Sequence, residues 1–366
     1  MEDLIRPCIA AIKPYEPGKP IEEVQRELGL TDVVKMASNE NPLGPSPLAL
    51  RAIAGSLPDI YYYPEGSSYN LRAALAQRLN VGMDNLIIGA GADQLIKLIA
   101  EAFLREGEEV VIAEHSFFEY LFVTQLMGGR PVFVPRRGLR QDLRRMADAV
   151  TERTKLVFVA NPCNPTGTIV TREEVEEFLA RLPERVLVIF DEAYREYVTA
   201  DDYPDLLPHL RAGRRNVIVL RSFSKIYGLA GLRVGYGIAD AEVIGWIHRV
   251  REPFNVNYLA QVAALAALDD EEHVFRSRRL VEEGKDYLYR ALAEMGLEYE
   301  PTQANFVLIN VGRDARQVFE ELMREGVIVR PADIFGLPTH VRVTIGTPEQ
   351  NRRFVEALRK VLARLG

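Results

Sequence analysis

The sequence predicts an α/β fold, with a large domain built on a mostly parallel sheet and a smaller α+β domain after it. Between about residue 85 and residue 220, short apolar runs alternate with amphipathic stretches. This pattern is typical of parallel strands that are covered by helices on both faces. After about Pro253 long helical segments precede a few short strands, which indicates a second unit. A length of 366 residues suits one large and one small domain.

The elements can be assigned in order along the chain. The first thirty residues are rich in proline and then helical, so we interpret residues 1–30 as an N-terminal arm, 31–256 as the large domain and 257–366 as the small one. The predicted strands of the large domain are LIIG (86–89), VVIA (110–113), VFV (132–134), KLVFVA (155–160), RVLVIF (185–190) and NVIVL (216–220). Those of the small domain are NFVLI (305–309), VIVR (327–330) and HVRVTI (340–345).

Composition and charge argue against several classes of function. The net charge is −7, and the arginine-rich segment 136–145 is interrupted by leucines and an acid, so we expect a solvated face and no nucleic acid partner. No apolar run approaches the about 20 residues that span a bilayer, and the start of the chain lacks the pattern of a signal peptide. Two cysteines suit a reducing compartment, which predicts a cytoplasmic location. The five histidines show no ligand spacing, so we predict no metal site.

Small or polar residues directly follow four of the predicted strands. Because ligands bind beyond the carboxyl ends of strands in open α/β sheets, these positions are candidates for a site. Taken singly, each is most often an ordinary turn, cap or surface residue. Together they place an anion-binding turn, an amide, a carboxylate with a phenol, and an amine at one edge: Gly89 to Asp93, Asn164, Asp191 with Tyr194, and Ser222, Ser224 and Lys225.

The chemistry of this set matches one cofactor. A lysine amine condenses with an aldehyde, and a carboxylate keeps a pyridine nitrogen protonated so that the ring accepts electrons. An amide and a phenol bond a ring oxygen, while a helix N-terminus, serines and an arginine bind a phosphate. The cofactor that carries all these groups is pyridoxal 5′-phosphate, and we predict that it binds here.

Nine segments carry a resemblance to a known family over essentially the whole chain. They are KPYEPGKPIEEVQRELG (13–29), SNENPLGPSP (38–47), YYYPEGSSYNLR (61–72), GAGADQLI (89–96), NPCNPTGT (161–168), DEAYREY (191–197), SFSKIYGLAGLRVGY (222–236), ANFVL (304–308) and VRVTIGT (341–347). On these segments the chain resembles the class I and II aminotransferases, which are pyridoxal-phosphate enzymes of fold type I. The segment at residues 13–20 is similar to the histidinol-phosphate branch of that family.

The resemblance implies a role for each residue of the cofactor site. Lys225 is implied to bond the aldehyde of the cofactor and to carry the proton, Asp191 to pair with the ring nitrogen, and Tyr194 to contact the ring oxygen; these three form the implied catalytic set. The other implied cofactor contacts are Ala92, Asp93, Phe117, Asn164, Ser222, Ser224 and Arg233. Tyr63 is implied to reach the cofactor phosphate of a neighbouring subunit, which would make the protein a homodimer with shared sites.

The resemblance also implies the substrate site and the reaction. Arg342 is expected to bind the substrate carboxylate, a task suited to a planar guanidinium, and Tyr15, Asn39 and Arg330 to bind the rest of the substrate. The implied reaction is transamination between L-histidinol phosphate and 2-oxoglutarate, in histidine biosynthesis. His115-Ser116-Phe117 departs from the frequent Pro-Thr-Tyr, so that Phe117 stacks on the ring without offering a hydroxyl.

Other functions stay open at this point. Aromatic-amino-acid aminotransferases and threonine-phosphate decarboxylase share most of these motifs. A non-catalytic sensor that binds pyridoxal phosphate is a third possibility, although the intact Lys225 favours catalysis. A nucleotide-binding dehydrogenase would rest on residues 89–93, which lack the Gly-x-Gly-x-x-Gly spacing.

Overall fold

The computed structural model describes residues 4–10, 12–14 and 18–366, and thirteen strands lie in that part of the chain. The strands are Val34–Lys35 (β1), Leu86–Gly89 (β2), Glu109–Ala113 (β3), Arg130–Val134 (β4), Thr154–Ala160 (β5), Leu187–Asp191 (β6), Val217–Ser222 (β7), Gly235–Ala239 (β8), Glu298–Glu300 (β9), Phe306–Asn310 (β10), Val327–Ile328 (β11), Arg330–Pro331 (β12) and His340–Thr344 (β13).

The helices separate these strands along the chain. They are Pro7–Ala10 (α1), Ile21–Leu28 (α2), Pro47–Ser56 (α3), Tyr69–Leu79 (α4), Gly91–Phe103 (α5), Phe118–Leu126 (α6), Leu143–Asp148 (α7), Arg172–Arg181 (α8), Leu207–Arg211 (α9), Ala241–Ile247 (α10), Tyr258–Ala267 (α11), Glu271–Glu294 (α12), Ala315–Arg324 (α13) and Pro348–Leu365 (α14). Each helix in this part of the chain is too short or too polar to cross a membrane.

The largest sheet has seven strands in the order β2-β8-β7-β6-β5-β3-β4. Strands β4, β3, β5, β6 and β7 pair in parallel, and β8 is antiparallel to both β7 and β2. Helices cover both faces, so that every residue of β2, β3, β6, β7 and β8 is buried. The six predicted strands and the α/β layered architecture are confirmed. Strand β8 was not predicted, because two of its five residues are glycines.

A second unit surrounds a four-stranded antiparallel sheet in the order β12-β13-β10-β9. Its core joins Phe306 and Val341 of the sheet to Leu288 of α12 and Phe354 of α14. The predicted strand VIVR is divided between β11 and β12, and β11 pairs in parallel with β1 near the start of the chain. The division into residues 1–30, 31–256 and 257–366 stays a prediction.

Both sheets contribute to one edge of the molecule. The carboxyl ends of β5, β6 and β7 open toward a cavity, and Arg330 on β12 and Arg342 on β13 line the same cavity from the other sheet. Residues far apart in the sequence therefore meet where parallel strands end, as ligand sites in open α/β sheets do.

Candidate active site

The cavity at this edge has a volume of about 300 Å³ and brings together most of the residues predicted for the site. The predicted residues that line it are Asn39, Ala92, Asp93, Phe117, Asn164, Asp191, Tyr194, Ser222, Ser224, Lys225, Arg233, Arg330 and Arg342. Two predicted residues are not among them. Tyr63 is 81% exposed and stacks on Phe254 with 4.8 Å between ring centres, outside the lining of the cavity. Tyr15 lies outside the described residues.

Asp191 ends β6 and is the buried acid of the site. Its Oδ2 atom accepts a hydrogen bond from the hydroxyl of Tyr120 at 2.7 Å, and its Oδ1 accepts one from the backbone N–H of Ala193 at 3.1 Å. Burial raises the pKa of Asp191 to about 6, although these hydrogen bonds and the charge of Lys225 favour the ionised form. Such a carboxylate can hold a proton between itself and a cationic ring nitrogen.

Tyr120 is a site residue that the sequence reasoning missed. It is buried in α6 and stacks on Phe158 of β5 with 4.6 Å between ring centres. Its hydroxyl is thereby fixed against Asp191, which lies 71 residues away in the sequence. The spacing of Phe117 and Tyr120 could have indicated it, because residues three apart lie on the same face of a helix and Phe117 was already predicted for the site.

Lys225 projects into the cavity beside a polar and an aromatic neighbour. Its Nζ atom donates a hydrogen bond to the backbone carbonyl of Ser38 at 3.2 Å and lies 5.6 Å from the centre of the Tyr194 ring. The Tyr194 hydroxyl accepts a hydrogen bond from the side-chain amide of Asn39 at 3.0 Å. Asn39 is in turn held by Thr344 of β13, whose hydroxyl accepts from the Asn39 backbone N–H at 2.9 Å. The amine thus sits between a loop anchored on the second unit and the end of β6.

An anion-binding corner lies where α5 begins. The first turn of α5 offers the backbone N–H groups of Ala92 and Asp93, and Arg233 donates to the carboxylate of Asp93 at 3.0 Å. A Cβ atom on Gly91, whose φ is +81°, would come within 2.7 Å of the Arg233 guanidinium. The Ser222 hydroxyl oxygen accepts from the Ser224 backbone N–H at 3.0 Å, so its own proton stays available for an anion. The corner therefore provides several donors, and the positive φ of Gly91 favours glycine at its centre.

Two arginines stand side by side on the opposite wall. Arg330 of β12 and Arg342 of β13 are direct partners in the antiparallel pairing, so their side chains emerge on the same face of the sheet. The Arg342 guanidinium donates to the side-chain oxygen of Asn164 and, at 2.7 Å, to the carbonyl of Ala37. It also lies 5.3 Å from the centre of the Phe306 ring. This wall suits carboxylate or phosphate groups, which planar guanidinium groups bind in a bidentate manner.

The arrangement fits pyridoxal 5′-phosphate on the chemistry of its donors. A buried carboxylate is available for the ring nitrogen, the amine of Lys225 for the aldehyde, and the glycine-lined corner at the start of α5 for the phosphate. Phe117 lines the cavity, and its ring packs edge-on against Tyr120 with 5.8 Å between ring centres. Asn164 and Tyr194 remain for the ring oxygen. Every residue predicted for the site lines the cavity except Tyr63 and Tyr15, and Tyr15 lies outside the described residues.

Comparison with known proteins agrees with this geometry. The family described as Aminotransferase class I and II matches residues 31–358. The chain is 58% identical to the histidinol-phosphate aminotransferase of Moorella thermoacetica, over 98% of this chain and 93% of that protein. It is 50% identical to the enzyme of the same name from Symbiobacterium thermophilum, over 98% of both chains.

Solved structures share the fold over nearly the full length. The histidinol-phosphate aminotransferase from Sinorhizobium meliloti, in complex with pyridoxal-5′-phosphate, superposes with a TM-score of 0.91 at 29% identity and covers 99% of this chain and 98% of that one. The L-threonine-O-3-phosphate decarboxylase from Porphyromonas gingivalis gives a TM-score of 0.81 at 26% identity, over 90% of this chain and all of that one. The predicted fold type I and the predicted resemblance are confirmed. The chain belongs to the class I and II aminotransferases.

Proposed function

We propose that this protein is a transaminase that transfers an amino group between L-histidinol phosphate and 2-oxoglutarate, as a step of histidine biosynthesis. One observation carries the proposal: a cavity that holds Lys225 and Asp191 also carries Arg330 and Arg342 side by side on its far wall. Full-length relatives at 46–58% identity are named for this activity, which supports the same substrate here.

The cofactor is pyridoxal 5′-phosphate. When bound, it supplies the aldehyde that takes up the amino group and a ring that stabilises negative charge at the reacting carbon. Asp191 would hold the proton on the ring nitrogen, and the Lys225 amine would face the aldehyde. Asn164 and Tyr194 would bond the ring oxygen, and Phe117 would cover one face of the ring. The phosphate would lie among Ala92, Asp93, Ser222, Ser224 and Arg233.

Lys225 would also move the proton that transamination requires. Its Nζ atom takes the proton from the α-carbon of the amino acid, and the carbonyl of Ser38 and the ring of Tyr194 stabilise the cationic amine that results. Asn39, which was predicted to bind substrate, donates a hydrogen bond to the Tyr194 hydroxyl and would therefore act on the substrate by orienting that hydroxyl.

The arginine pair would explain how one site accepts two different substrates in turn. Glutamate presents two carboxylates, and L-histidinol phosphate presents a phosphate. Arg342 would bind the group nearer the α-carbon, and Arg330, together with Tyr15, the more distant one. Both anions suit guanidinium groups, because each offers two oxygens in the plane of the fork.

We further propose a cytoplasmic homodimer in which Tyr63 reaches the neighbouring active site. The surface around Tyr63 supports an interface, because Tyr61 and Tyr62 are 73% and 63% exposed and Ile60 is 59% exposed. Clustered exposed rings of this kind mark contact surfaces. The net charge of −7 supports the absence of a nucleic acid partner, and the two cysteines support a reducing compartment.

The substrate can be tested with the cofactor-loaded protein. L-histidinol phosphate, L-phenylalanine and O-phospho-L-threonine are added separately while the visible absorbance band of the lysine-bound cofactor is recorded. We expect the band to bleach at the lowest concentration with L-histidinol phosphate. Stronger bleaching with phenylalanine would instead make the protein an aromatic aminotransferase, and release of carbon dioxide from phosphothreonine would make it a decarboxylase.

A further inference from the structure

A second cavity adjoins the active site along helix α6. It has a volume of about 730 Å³ and shares Phe118, Arg330 and Ile334 with the first cavity. The two cavities therefore adjoin at Arg330, which is the residue proposed above for the more distant anionic group of the substrate, and at Phe118. Helix α6 gives this cavity an apolar wall of Phe118, Leu121 and Phe122, and the charged residues Lys13, Arg316 and Asp333 also line the cavity. Such a wall suits a flat ring.

One carboxylate on this wall has no partner within the described part of the chain. Glu119 lines the second cavity, and no hydrogen bond or ion pair joins its side chain to any residue in 4–10, 12–14 or 18–366. Burial raises the pKa of Glu119 to about 7; the charge of Asp93 adds to this shift, and the charge of Lys97 opposes it. The other carboxylate of the cavity, Asp333, is ion-paired with Arg316. Glu119 is half-buried and still reaches solvent, so a ligand that covers this wall would displace its water and must bring a hydrogen-bond donor to replace it.

We propose that Glu119 accepts a hydrogen bond from the ring N–H of the imidazole of L-histidinol phosphate, while Phe118 packs against the ring. This inference rests on the proposed function and adds the residue that selects the ring. A phenyl ring has no N–H to offer and would leave the carboxylate buried without a donor, so Glu119 disfavours phenylalanine. Glutamate carries no ring, so the second cavity serves only one of the two half-reactions.

The two half-reactions make the test selective. Each is measured alone in the cofactor-loaded enzyme by rapid mixing with L-histidinol phosphate or L-glutamate. For Glu119→Gln we expect the second-order rate constant with L-histidinol phosphate to fall about 10-fold, because the amide oxygen still accepts but is a weaker acceptor than a carboxylate. The rate constant with L-glutamate should stay within about twofold. Glu119→Asp keeps the carboxylate and should recover part of the loss, and Glu119→Leu should raise the ratio of phenylalanine to histidinol-phosphate reactivity.

Glu283→Gln is the matched control. It removes the same charge from helix α12, where Glu283 pairs with Arg279 at 2.7 Å and lines neither cavity. It should leave both half-reactions unchanged. Equal losses in the two half-reactions of Glu119→Gln, or no loss in either, would overturn the inference. A wild-type enzyme that reacts with glutamate but not with L-histidinol phosphate would overturn the proposed function itself, before any variant is compared.

Discussion

Burial and charge oppose each other at Asp191. Its pKa rises from 3.8 to about 6 in the folded protein, so the native state binds the proton more tightly than the unfolded chain does. Stability contributed by this group therefore falls as the pH rises from 3.8 to about 6, and the full cost of the buried charge, roughly 3 kcal/mol, is present above that range. A bound pyridinium ring offsets this cost, because it brings the opposite charge.

The Asp191→Asn variant tests this balance. An amide has nearly the same shape but carries no charge: its oxygen can accept from the Ala193 N–H, and its NH2 group can donate to the Tyr120 hydroxyl oxygen. Without cofactor, we expect the variant to be more stable than the wild type above about pH 6, by up to roughly 3 kcal/mol, and equal to it near pH 4. Denaturant unfolding of both apoproteins at several pH values measures this difference.

The same variant should bind the cofactor more weakly. Pyridoxal phosphate added at neutral pH should therefore stabilise the wild type by more than the variant, which reverses the order seen without cofactor. An apoprotein variant that is no more stable than the wild type at any pH would show that the carboxylate of Asp191 carries no cost of burial.

At the scale of elements, the turn between β3 and α6 links the two sheets. The Nδ1 atom of His115 donates a hydrogen bond to the carbonyl of Phe335 at 2.6 Å, and Arg136 holds the His115 carbonyl from the other side at 3.0 Å. Phe335 lines the active-site cavity in the segment that follows Arg330. His115 therefore links the cavity wall that carries Phe335, Arg330 and Arg342 to the seven-stranded sheet.

Replacing His115 should affect substrate binding more than chemistry. For His115→Ala we expect KM for both substrates to rise about threefold to tenfold, with kcat changed less than about twofold, because one partly buried hydrogen bond is lost. Steady-state kinetics with each substrate varied in turn checks this. His209→Ala is the control, since His209 pairs with Glu176 and does not line the cavity. A fall in kcat with unchanged KM would contradict the positioning role.

Strand β8 packs closely against the start of helix α5 at Gly235. A Cβ atom on Gly235 would lie 2.8 Å from the backbone N of Ala92 and 2.9 Å from the carbonyl of Arg221, and neither backbone atom can move freely. Gly235→Ala should therefore displace the start of α5, weaken cofactor binding at least about tenfold and lower stability by about 1–3 kcal/mol. Cofactor titration and thermal unfolding measure these effects.

Gly245→Ala provides the matched substitution on α10. Nothing lies within 4 Å of its added Cβ, so alanine should be neutral or stabilise the helix by up to about 1 kcal/mol. Similar effects of the two substitutions would mean that β8 and α5 are not closely packed at the anion-binding corner.

The sequence predicted those features of the fold and site that depend on neighbouring residues, and missed those that depend on contacts between distant segments. Strands β5, β6 and β7 were predictable because both faces are buried and their runs are continuously apolar. The polar residues that end them were predictable as a site because parallel strands bring their ends together. Tyr120, the Ser38 carbonyl and Glu119 were not, since their roles depend on partners or cavities formed by distant segments.

At the scale of the whole molecule, the exposed Tyr63 predicts an oligomer. A single subunit has a mass of 41.3 kDa, and we expect light scattering to give twice this value. The surface of Tyr61, Tyr62 and Ile60 beside Tyr63 would be covered in that dimer. A species of one subunit mass under assay conditions would contradict the shared site.

Subunit mixing tests whether the active sites are shared. If each site takes Lys225 from one subunit and Tyr63 from the other, a hybrid of Lys225→Ala and Tyr63→Ala subunits contains one site with both defects and one site with none. The Lys225→Ala dimer should be inactive and the Tyr63→Ala dimer weakly active at limiting cofactor, and each hybrid dimer should recover about half of the wild-type activity. Mixing Lys225→Ala with Asp191→Asn is the control, because both residues line the cavity of the same subunit and every hybrid site keeps one defect. Recovery in the first mixture but not in the second would establish Tyr63 as a residue of the neighbouring site, whereas failure of both would place all the groups needed for turnover within one subunit.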